Sequence, residues 1–553
     1  MGVKAWGFRA AYHRWQRIQG HEVSFHAEPP SVAKRVFLRV EEAFDRPFGN
    51  ADNPLRHLGA YGLYLLWLVV GSGLYLYAVL DTGIEAVYRS IGELSDPPWQ
   101  IGGLLRSIHR YAADGLMVVM LLHLLREACY GRFRGFRSFS WLTGVPLIWL
   151  AFVAGIGGYW LVWDQLAQVS AIAGSELLDG LPLFSEPVAR NFLTPEALSD
   201  RFFTLLVFIH IGVPLLLILG LWAHVQRIAH VDYLPSGRAM LATLTALLVL
   251  AWGQPVQSQP PADLTVVPGA VGFDWFILFI HPLSDLLGST TRVWVLLFAT
   301  TAVLFALPLL PSRAGVPAVV PVAVVEPAHC TGCDRCLADC PYAAISMVAH
   351  PSRPGNRLAV VDADSCASCG LCAGSCPSST PFRRQAPLRT GIDLPQRSVD
   401  DLREHLEAEL ARLNQTAGRT RIVVFSCRHA ADITSLTAAD TAVIPLLCAG
   451  QLPPSFIEYA LRGGADGVML GACRAGGCEF RLGERWLADR LSGKRPPPLR
   501  NRIPVERWQT VYAGPHDRAE LLTAVAGFRS GLETLDPIGE HLPPYFRKVI
   551  HDA

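Results

Sequence analysis

Twelve of the 13 cysteines in this 553-residue chain lie beyond position 325, and eight of them fall into two strings with one spacing, "CTGCDRCLADCP" (330 to 341) and "CASCGLCAGSCP" (366 to 377). Cys-x2-Cys-x2-Cys-x3-Cys-Pro is the run that wraps a cubane: three thiolates in a tight loop take three irons, and the fourth crosses to the neighbouring cluster. Cys330, Cys333, Cys336 and Cys376 are therefore expected to hold one [4Fe-4S] cluster, and Cys366, Cys369, Cys372 and Cys340 the second. Zinc competes for any four cysteines, but two copies that each end in Cys-Pro favour iron and sulfur. In a reducing compartment, thiols this dense and regular point to metal ligation rather than disulfides.

The apolar run "HRYAADGLMVVMLLHLLREACYGRFRGF" (109 to 136) holds a second kind of ligand, His109 and His123, fourteen residues apart. Fourteen residues of helix rise about 21 Å in just under four turns, so the two imidazoles share a face at different depths and cannot share a metal. A later apolar run carries His210 and His224 at the same interval. Two parallel helices with equally spaced histidines can build two bis-imidazole sites stacked across a bilayer, His109 with His210 and His123 with His224. A haem iron with two axial imidazoles satisfies both rings and suits a low-spin electron carrier. One histidine in an apolar helix is as readily a polar contact between helices; the matched spacing separates the two readings. Gly59, Gly62, Gly71 and Gly73 allow close approach of a flat macrocycle or of a neighbouring helix, without saying which.

These ligands need elements to hold them. The chain is 51% hydrophobic and 17% charged, with 14 Trp and a mean hydropathy of +0.29, too apolar for a soluble protein of its length. The excess is concentrated in runs long enough to cross a bilayer, "LGAYGLYLLWLVVGSGLYLYAVL" (58 to 80), "FFTLLVFIHIGVPLLLILGLWAHV" (202 to 225) and "TRVWVLLFATTAVLFALPLL" (291 to 310). Further spans are expected at 109 to 129 and 141 to 163, with a short one at 238 to 252, while "FDWFILFIHPL" is too short to span and reads as a re-entrant or interfacial helix. Six crossings put both termini on one side; Arg132, Arg134, Arg137, Arg227 and Arg238 share it, which makes it cytoplasmic by the positive-inside rule. The first 57 residues show no signal-peptide core, and "SVAKRVFLRVEEAF" (31 to 44) reads as an amphipathic helix lying at the interface. After the Pro/Val-rich linker "AGVPAVVPVAVVEPAHC" no spanning run recurs. With a net charge of +1 and no basic tract away from the membrane-flanking loops, nucleic-acid binding has little support.

A third cysteine set lies on a different scaffold. "RIVVFSC" (421 to 427) and "TAVIPLLCAG" (441 to 450) read as buried parallel strands, "PPSFIEYALRGGAD" (453 to 466) as the helix between strands, and "GVMLGACRAGGC" (467 to 478) as a strand entering a Gly-rich turn. Cys427, Cys448 and Cys473 then sit at strand carboxyl ends, where open α/β sheets bind ligands, with Cys478 on the next turn. Four converging thiols suffice for a [2Fe-2S] centre; zinc, and redox or unliganded thiols, are the other readings. Cys129 reads as packing. The expected organisation is multi-domain: a cytoplasmic and interfacial segment (1–57), a four-helix dihaem domain (58–235), further transmembrane helices with an outer loop (236–312), a linker and an α+β dicluster ferredoxin-like domain (313–400), and a C-terminal α/β parallel-sheet domain (419–545).

Over roughly residues 30 to 310 the sequence resembles the cytochrome b subunit of respiratory and photosynthetic quinol oxidoreductases. The resemblance is carried by "RSIH" with Arg106 and His109, "HLLREACYG" with His123, Arg126 and Gly131, "GYWLVWDQLAQVSAIAG" from Gly158, and "RFFTLLVFIHIGVP" with Arg201, Phe203, His210 and Pro214, followed by His224. It implies two b haems ligated in the pairs given above, with Arg106 and Arg126 beside haem propionates. Two departures fall in the outer quinone pocket. The family's Pro-Trp-Gly-Gln is "VWDQ" here, with Val162 and Asp164, and its Pro-Glu-Trp-Tyr signature is "GFDWF", with Asp274 for the glutamate and Phe276 for the tyrosine. A quinone near the outer haem needs a titratable group at its ring oxygen, for which Asp274 is the first candidate and Asp164 the second.

Residues 419 to 545 resemble the small iron-sulfur (delta) subunit of methyl-viologen-reducing hydrogenases, which also occurs fused to heterodisulfide reductase components. That resemblance implies a [2Fe-2S] cluster at Cys448, Cys473 and Cys478 and a reductase of that kind as partner. Cys427, in "FSCRHAAD", is the one thiol left for the fourth position.

The expected function is a quinone/quinol oxidoreductase subunit of a prokaryotic inner-membrane complex, a homodimer through its cytochrome b domain, that connects the quinone pool to a cytoplasmic oxidoreductase. A bc-type quinol dehydrogenase would need an external Rieske protein or c-type cytochrome, since the chain has no Cys-x-x-Cys-His; a non-catalytic membrane anchor would lack haem. No Gly-x-Gly-x-x-Gly fingerprint for NADH is present.

Overall fold

Ser31 starts the first helix among the described residues, α1 (Val32–Asp52), its hydroxyl accepting from Lys34 N at 3.2 Å. α1 buries Phe37, Leu38 and Glu41 and exposes Val32, Val36 and Val40, the two-faced helix expected of that stretch. The protein is described here by a computed structural model over residues 31–181, 193–194, 198–310, 321–415 and 420–536. The first thirty residues of the N-terminal segment, most of the linker at 313–320 and the last residues of the C-terminal domain lie outside the described residues. The chain falls into two compact units, one formed by residues 30–316 and one containing residues 317–553.

The first unit is helical: α2 (Leu58–Val79), α3 (Val87–Ser95), α4 (Ile101–Cys129), α5 (Ser138–Trp160), α6 (Gln165–Asp179), α7 (Asp200–Val225), α8 (Gly237–Gly253), α9 (Ile280–Leu287) and α10 (Thr290–Ala306). Four stretches among the described residues are long and apolar enough to cross a membrane, Leu58–Val79, Gly135–Trp160, Asp200–Val225 and Thr290–Leu309, so the chain is a multi-pass membrane protein. The other two expected crossings differ in character. α8 is apolar but only 17 residues long, and α4, at 29 residues, carries Arg106, Arg110, Asp114, Arg126 and Glu127 in its apolar sequence. Leu65 and Leu66 of α2, Ala112 and Leu116 of α4, Leu147 of α5, Leu217 of α7 and Leu247 of α8 form the core of the bundle. Lipid is as apolar as leucine, so such helices are held by close packing and polar contacts.

The string after Asp274 is not the apolar helix expected of it. Residues 275–279 run through turns and α9 begins only at Ile280, with the Asp274 carboxylate accepting from the Phe276 and Ile277 amides at the first of these turns.

In the second unit, β1 (Val324–Val325) pairs antiparallel with β4 (Ile392–Asp393), and β2 (Ile345–Ala349) with β3 (Arg357–Val361). Each cubane-type cysteine loop runs into a one-turn helix, α11 (Arg335–Asp339) and α12 (Leu371–Ser375). After α13 (Val399–Asn414), β5 (Ile422–Cys427), β6 (Thr441–Leu446), β7 (Gly467–Ala472) and β8 (Trp508–Tyr512) form a parallel sheet in the order β6-β5-β7-β8. α14 (Ser455–Arg462), α15 (Gly483–Leu491) and α16 (Arg518–Glu533) complete the domain. Every residue of β5 and β7 is buried, as both-sided cover of central parallel strands demands. β8, at the edge, is half exposed, so its sequence shows no continuous apolar run.

Candidate functional site

α4 and α7 bring His109 and His210 together, ring centroids 6.4 Å apart. Imidazoles that bind one metal from opposite sides through bonds of about 2 Å have centroids about 6 Å apart, so this spacing would admit one metal ion between the two rings. Their other nitrogens face acceptors: His109 Nδ1 is 3.0 Å from Val69 O and 3.1 Å from Ser72 Oγ, and His210 Nδ1 is 3.0 Å from Ala154 O. A proton kept on Nδ1 by a backbone carbonyl leaves the Nε2 lone pair for iron. His224 Nδ1 lies 3.3 Å from Thr143 Oγ1, and His224 is within electrostatic reach of His123.

Three glycines leave room beside these rings. A Cβ on Gly73 of α2 would lie 2.9 Å from His109 Cε1, one on Gly158 of α5 3.0 Å from His210 Cε1, and one on Gly144 of α5 3.0 Å from His224 Cε1. Gly62 faces Leu116 and Val119 of the neighbouring helix instead, and a Cβ on Gly59 or Gly71 would meet nothing within 4 Å. Arg106 is buried and donates to Ser95 Oγ at 2.8 Å and Ser258 Oγ at 2.9 Å. Arg126, also buried, gives its Nε to Glu41 Oε1 at 2.7 Å, while among the described residues its Nη2 has no partner, nor does the buried Nε2 of His57. A buried guanidinium nitrogen without an acceptor is expensive, and a haem propionate is the carboxylate that would satisfy it. Glu41 left no trace in the sequence, although α1 buries it on the face of Phe37 and Leu38.

Asp164, ahead of α6, and Asp274, after α8, have different tasks. Asp164 is 6% exposed, and its oxygens accept from Ala167 N and Gln259 N, each at 2.9 Å: it caps α6 and pins the segment after α8. Asp274 also caps, accepting from Phe276 N and Ile277 N at 2.8 Å, but its other oxygen meets Tyr159 Oη and the Arg110 guanidinium. The same segment supplies Trp275, Phe276 and Phe279 to an apolar cavity of about 370 Å³ whose other walls come from α4 (Leu121), α5 (Trp149) and α10 (Thr300). Sequence reasoning passed over Arg110, Asp114 and Tyr159; the signal was an i,i+4 pair of opposite charges inside an apolar helix.

Among the described residues no three His, Cys, Asp or Glu side chains gather as a single-ion site; what converges in the second unit are sets of sulfurs. The thiols acting on Cys336 are those of Cys376, Cys333 and Cys330, and those acting on Cys372 include Cys369, Cys366 and Cys340, the crossed grouping of a dicluster fold. Burial pushes Cys336 up to about 12, and Cys369 and Cys372 also upward. Cys333 alone among the cysteines is exposed. At the carboxyl end of the parallel sheet, Cys427 Sγ lies 3.8 Å from Cys473 Sγ, and Cys448 and Cys478 close a ring of S–H···S contacts with them. All four are at most 4% exposed. Gly483 packs against the sulfurs of Cys448 and Cys478, where any side chain would collide.

The two cysteine regions share one interior. Leu447, next to Cys448, packs in the core that holds Cys336, Cys340 and Cys372. Arg490 of α15, wholly buried, donates to Gly450 O at 2.7 Å and Leu371 O at 3.3 Å and pairs with Asp339.

Comparison with known proteins follows the same partition. A family model described as cytochrome b (N-terminal)/b6/petB matches residues 115–243, which hold His123, His210 and His224, with His109 just ahead. A 4Fe-4S dicluster domain model matches residues 329–380, and one for the delta subunit of methyl-viologen-reducing hydrogenase matches residues 422–536. The chain is 34% identical to cytochrome b6 of Prochlorothrix hollandica over 157 residues, covering 28% of this chain and 70% of that protein. It is 25% identical to cytochrome b of Dictyostelium discoideum over 277 residues, 45% of this chain and 71% of that protein. A solved structure titled Hyperthermophilic respiratory Complex III aligns with 16% identity and a TM-score of 0.37, over 55% of this chain and 82% of that one. The membrane part makes this chain a member of the cytochrome b/b6 family, fused to a 4Fe-4S dicluster domain and to a domain like the delta subunit of methyl-viologen-reducing hydrogenase.

Proposed function

We propose that the protein is a membrane-bound electron-transfer subunit working between the quinone/quinol pool and a cytoplasmic redox partner. His109 with His210, and His123 with His224, hold two b haems; the twelve cysteines of the second unit hold two [4Fe-4S] clusters and one [2Fe-2S] cluster. Haem supplies one-electron carriage at a potential set by its ligands and surroundings. The residues around it fix the rest: Val69 O and Ala154 O set the imidazole tautomers, Gly73, Gly144 and Gly158 keep the ring faces clear, and Arg126 Nη2 offers a donor to a propionate. The cavity beside Trp275, Phe276 and Phe279 suits an apolar quinone ring, and Asp274, one residue ahead of Trp275, accepts from Arg110 and Tyr159. In this reading residues 58–235 carry the haems, 236–312 the outer quinone loop, 313–400 the cubanes, and 419–545 face a soluble oxidoreductase of the heterodisulfide reductase class, with the iron-sulfur domains cytoplasmic.

The observation that carries the proposal is the opposition of His109 and His210 at 6.4 Å, with each Nδ1 turned to a main-chain carbonyl. Its test is the addition of a short-chain quinol to anaerobic membranes that contain the protein. Reduction of b-type absorbance and of iron-sulfur resonances is expected; reduction of neither contradicts it.

A further inference from the structure

Arg110 and Asp114 stand four residues apart on α4, in the same apolar sequence that carries His109 and His123. Ionisable groups inside such a helix are costly and tend to mark a site. The Arg110 guanidinium is shared by two carboxylates, Asp114 on its own helix and Asp274 from the segment after α8, and lies over the Tyr159 ring, 4.8 Å from its centroid.

The two carboxylates are held very unequally. Asp274 accepts from two backbone amides, from Tyr159 Oη and from Arg110. Among the described residues Arg110 is the one donor to Asp114, whose side chain is 28% exposed against 16% for Asp274. Hydrogen bonds to the ionised form keep a carboxylate charged. With two carboxylates to one guanidinium, the cluster has a negative charge in excess, and the less firmly held acid is where a proton settles. The groups facing Asp114 are Arg110 and Tyr111 from α4, Tyr159 from α5, and Asp274; α2 presents Leu65 against the adjoining Gly115. Tyr111 is engaged elsewhere, its hydroxyl donating to Gln254 O at 2.5 Å.

We propose that Asp114 is the proton-accepting group linked to the redox state of the centre at His109 and His210. The proposal rests on the haem reading above. Asp114 lies five residues past His109, about 7.5 Å of helix rise, and Arg110, which adjoins His109, holds it. An electron from the reductant lowers the iron by one oxidation state, and a proton from water forms an O–H bond on the Asp114 carboxylate. The net charge of the region is thereby unchanged, and reoxidation reverses both changes.

The test is a potentiometric titration of the haem absorbance in the full-length protein, with a chemical reductant and dye mediators and without quinone, from pH 6 to 9. The midpoint of the His109/His210 haem, identified by its loss in His210→Ala, is expected to fall as pH rises. The limit is a tenfold change in the reduction equilibrium per pH unit, about 59 mV. Asp114→Asn should flatten that slope with the spectrum unchanged, and Asp114→Glu should keep it. A wild-type slope in Asp114→Asn, or no slope in the wild type, overturns the inference. Infrared difference spectra need no neutral variant: a protonated-carboxyl band must appear on reduction and shift in Asp114→Glu, and its absence also overturns it. A protein without haem overturns the haem reading and this inference together, whereas a pH-independent potential overturns the inference alone.

Discussion

Arg490 pairs with Asp339 across the interior of the second unit, joining the helix behind the Cys448/Cys478 sulfurs to the residue before Cys340. Both side chains are almost wholly buried, and Arg495 pairs with the other oxygen of Asp339. The dicluster and sheet domains are thus parts of one interior.

Removing one partner of a buried pair costs up to about 3–5 kcal/mol when the other charge is left alone, and less here because Arg495 still pairs with Asp339. Arg490→Met is expected to lower the melting temperature of the iron-sulfur unit and reduce its iron content. Deleting residues 419–545 should cost the second cubane as well as partner exchange, since Leu371 and Asp339 lose their cover. Assembly of both [4Fe-4S] clusters in the deletion would contradict the shared interior.

The glycines beside the imidazoles predict selective loss of haem. Gly158→Leu should displace His210 and remove the outer haem, whereas Gly144→Leu should displace His224 and remove the inner one. Alanine at His109 or His210, and at His123 or His224, should divide in the same way. Low-temperature difference spectra report the two haems separately, and loss of both in either glycine variant would contradict independent sites.

Asp274 and Asp164 should respond differently. Asp274→Asn keeps most of the cap but removes the charge that orders Arg110 and Tyr159, so quinone-linked turnover is expected to fall about tenfold or more with haem content intact. Asp164→Ala removes a buried cap and should act on stability, by about 1 kcal/mol or more. Normal turnover in Asp274→Asn would exclude it from the quinone chemistry.

The buried thiols set a pH dependence for cluster assembly. Burial raises Cys336, Cys369 and Cys372 above the ordinary thiol range, so at neutral pH they hold protons that iron must displace. Iron loading should therefore weaken as pH falls, by about tenfold per unit for each proton released. Reconstitution of iron-depleted protein at pH 6.5 and 8.5, followed by iron and sulfide analysis, checks the sign; equal loading would contradict it.

The cysteine strings and the repeated fourteen-residue interval were legible because ligand spacing is local in sequence. The same holds for β5 and β7, whose cover on both faces writes a continuous apolar run. What escaped is non-local. Glu41 meets Arg126 across 85 positions and Arg490 meets Asp339 across 151, so neither residue is marked by its neighbours in the chain. The segment after Asp274 misled for a different reason: its composition suits an apolar helix, yet residues 275–279 run through turns and the helix begins only at Ile280. Asp164 looked like a candidate acid because it departs from the family pattern, yet its oxygens are consumed by backbone amides.

The central claim is that four intramembrane histidines hold two haems in electronic series with iron-sulfur clusters. The most direct measurement is the pyridine haemochrome assay on the purified full-length protein, with iron determined on the same sample. Two protohaems per chain are predicted, falling to one in His210→Ala and in His224→Ala; a purified protein with the intact histidines and no protohaem would contradict it.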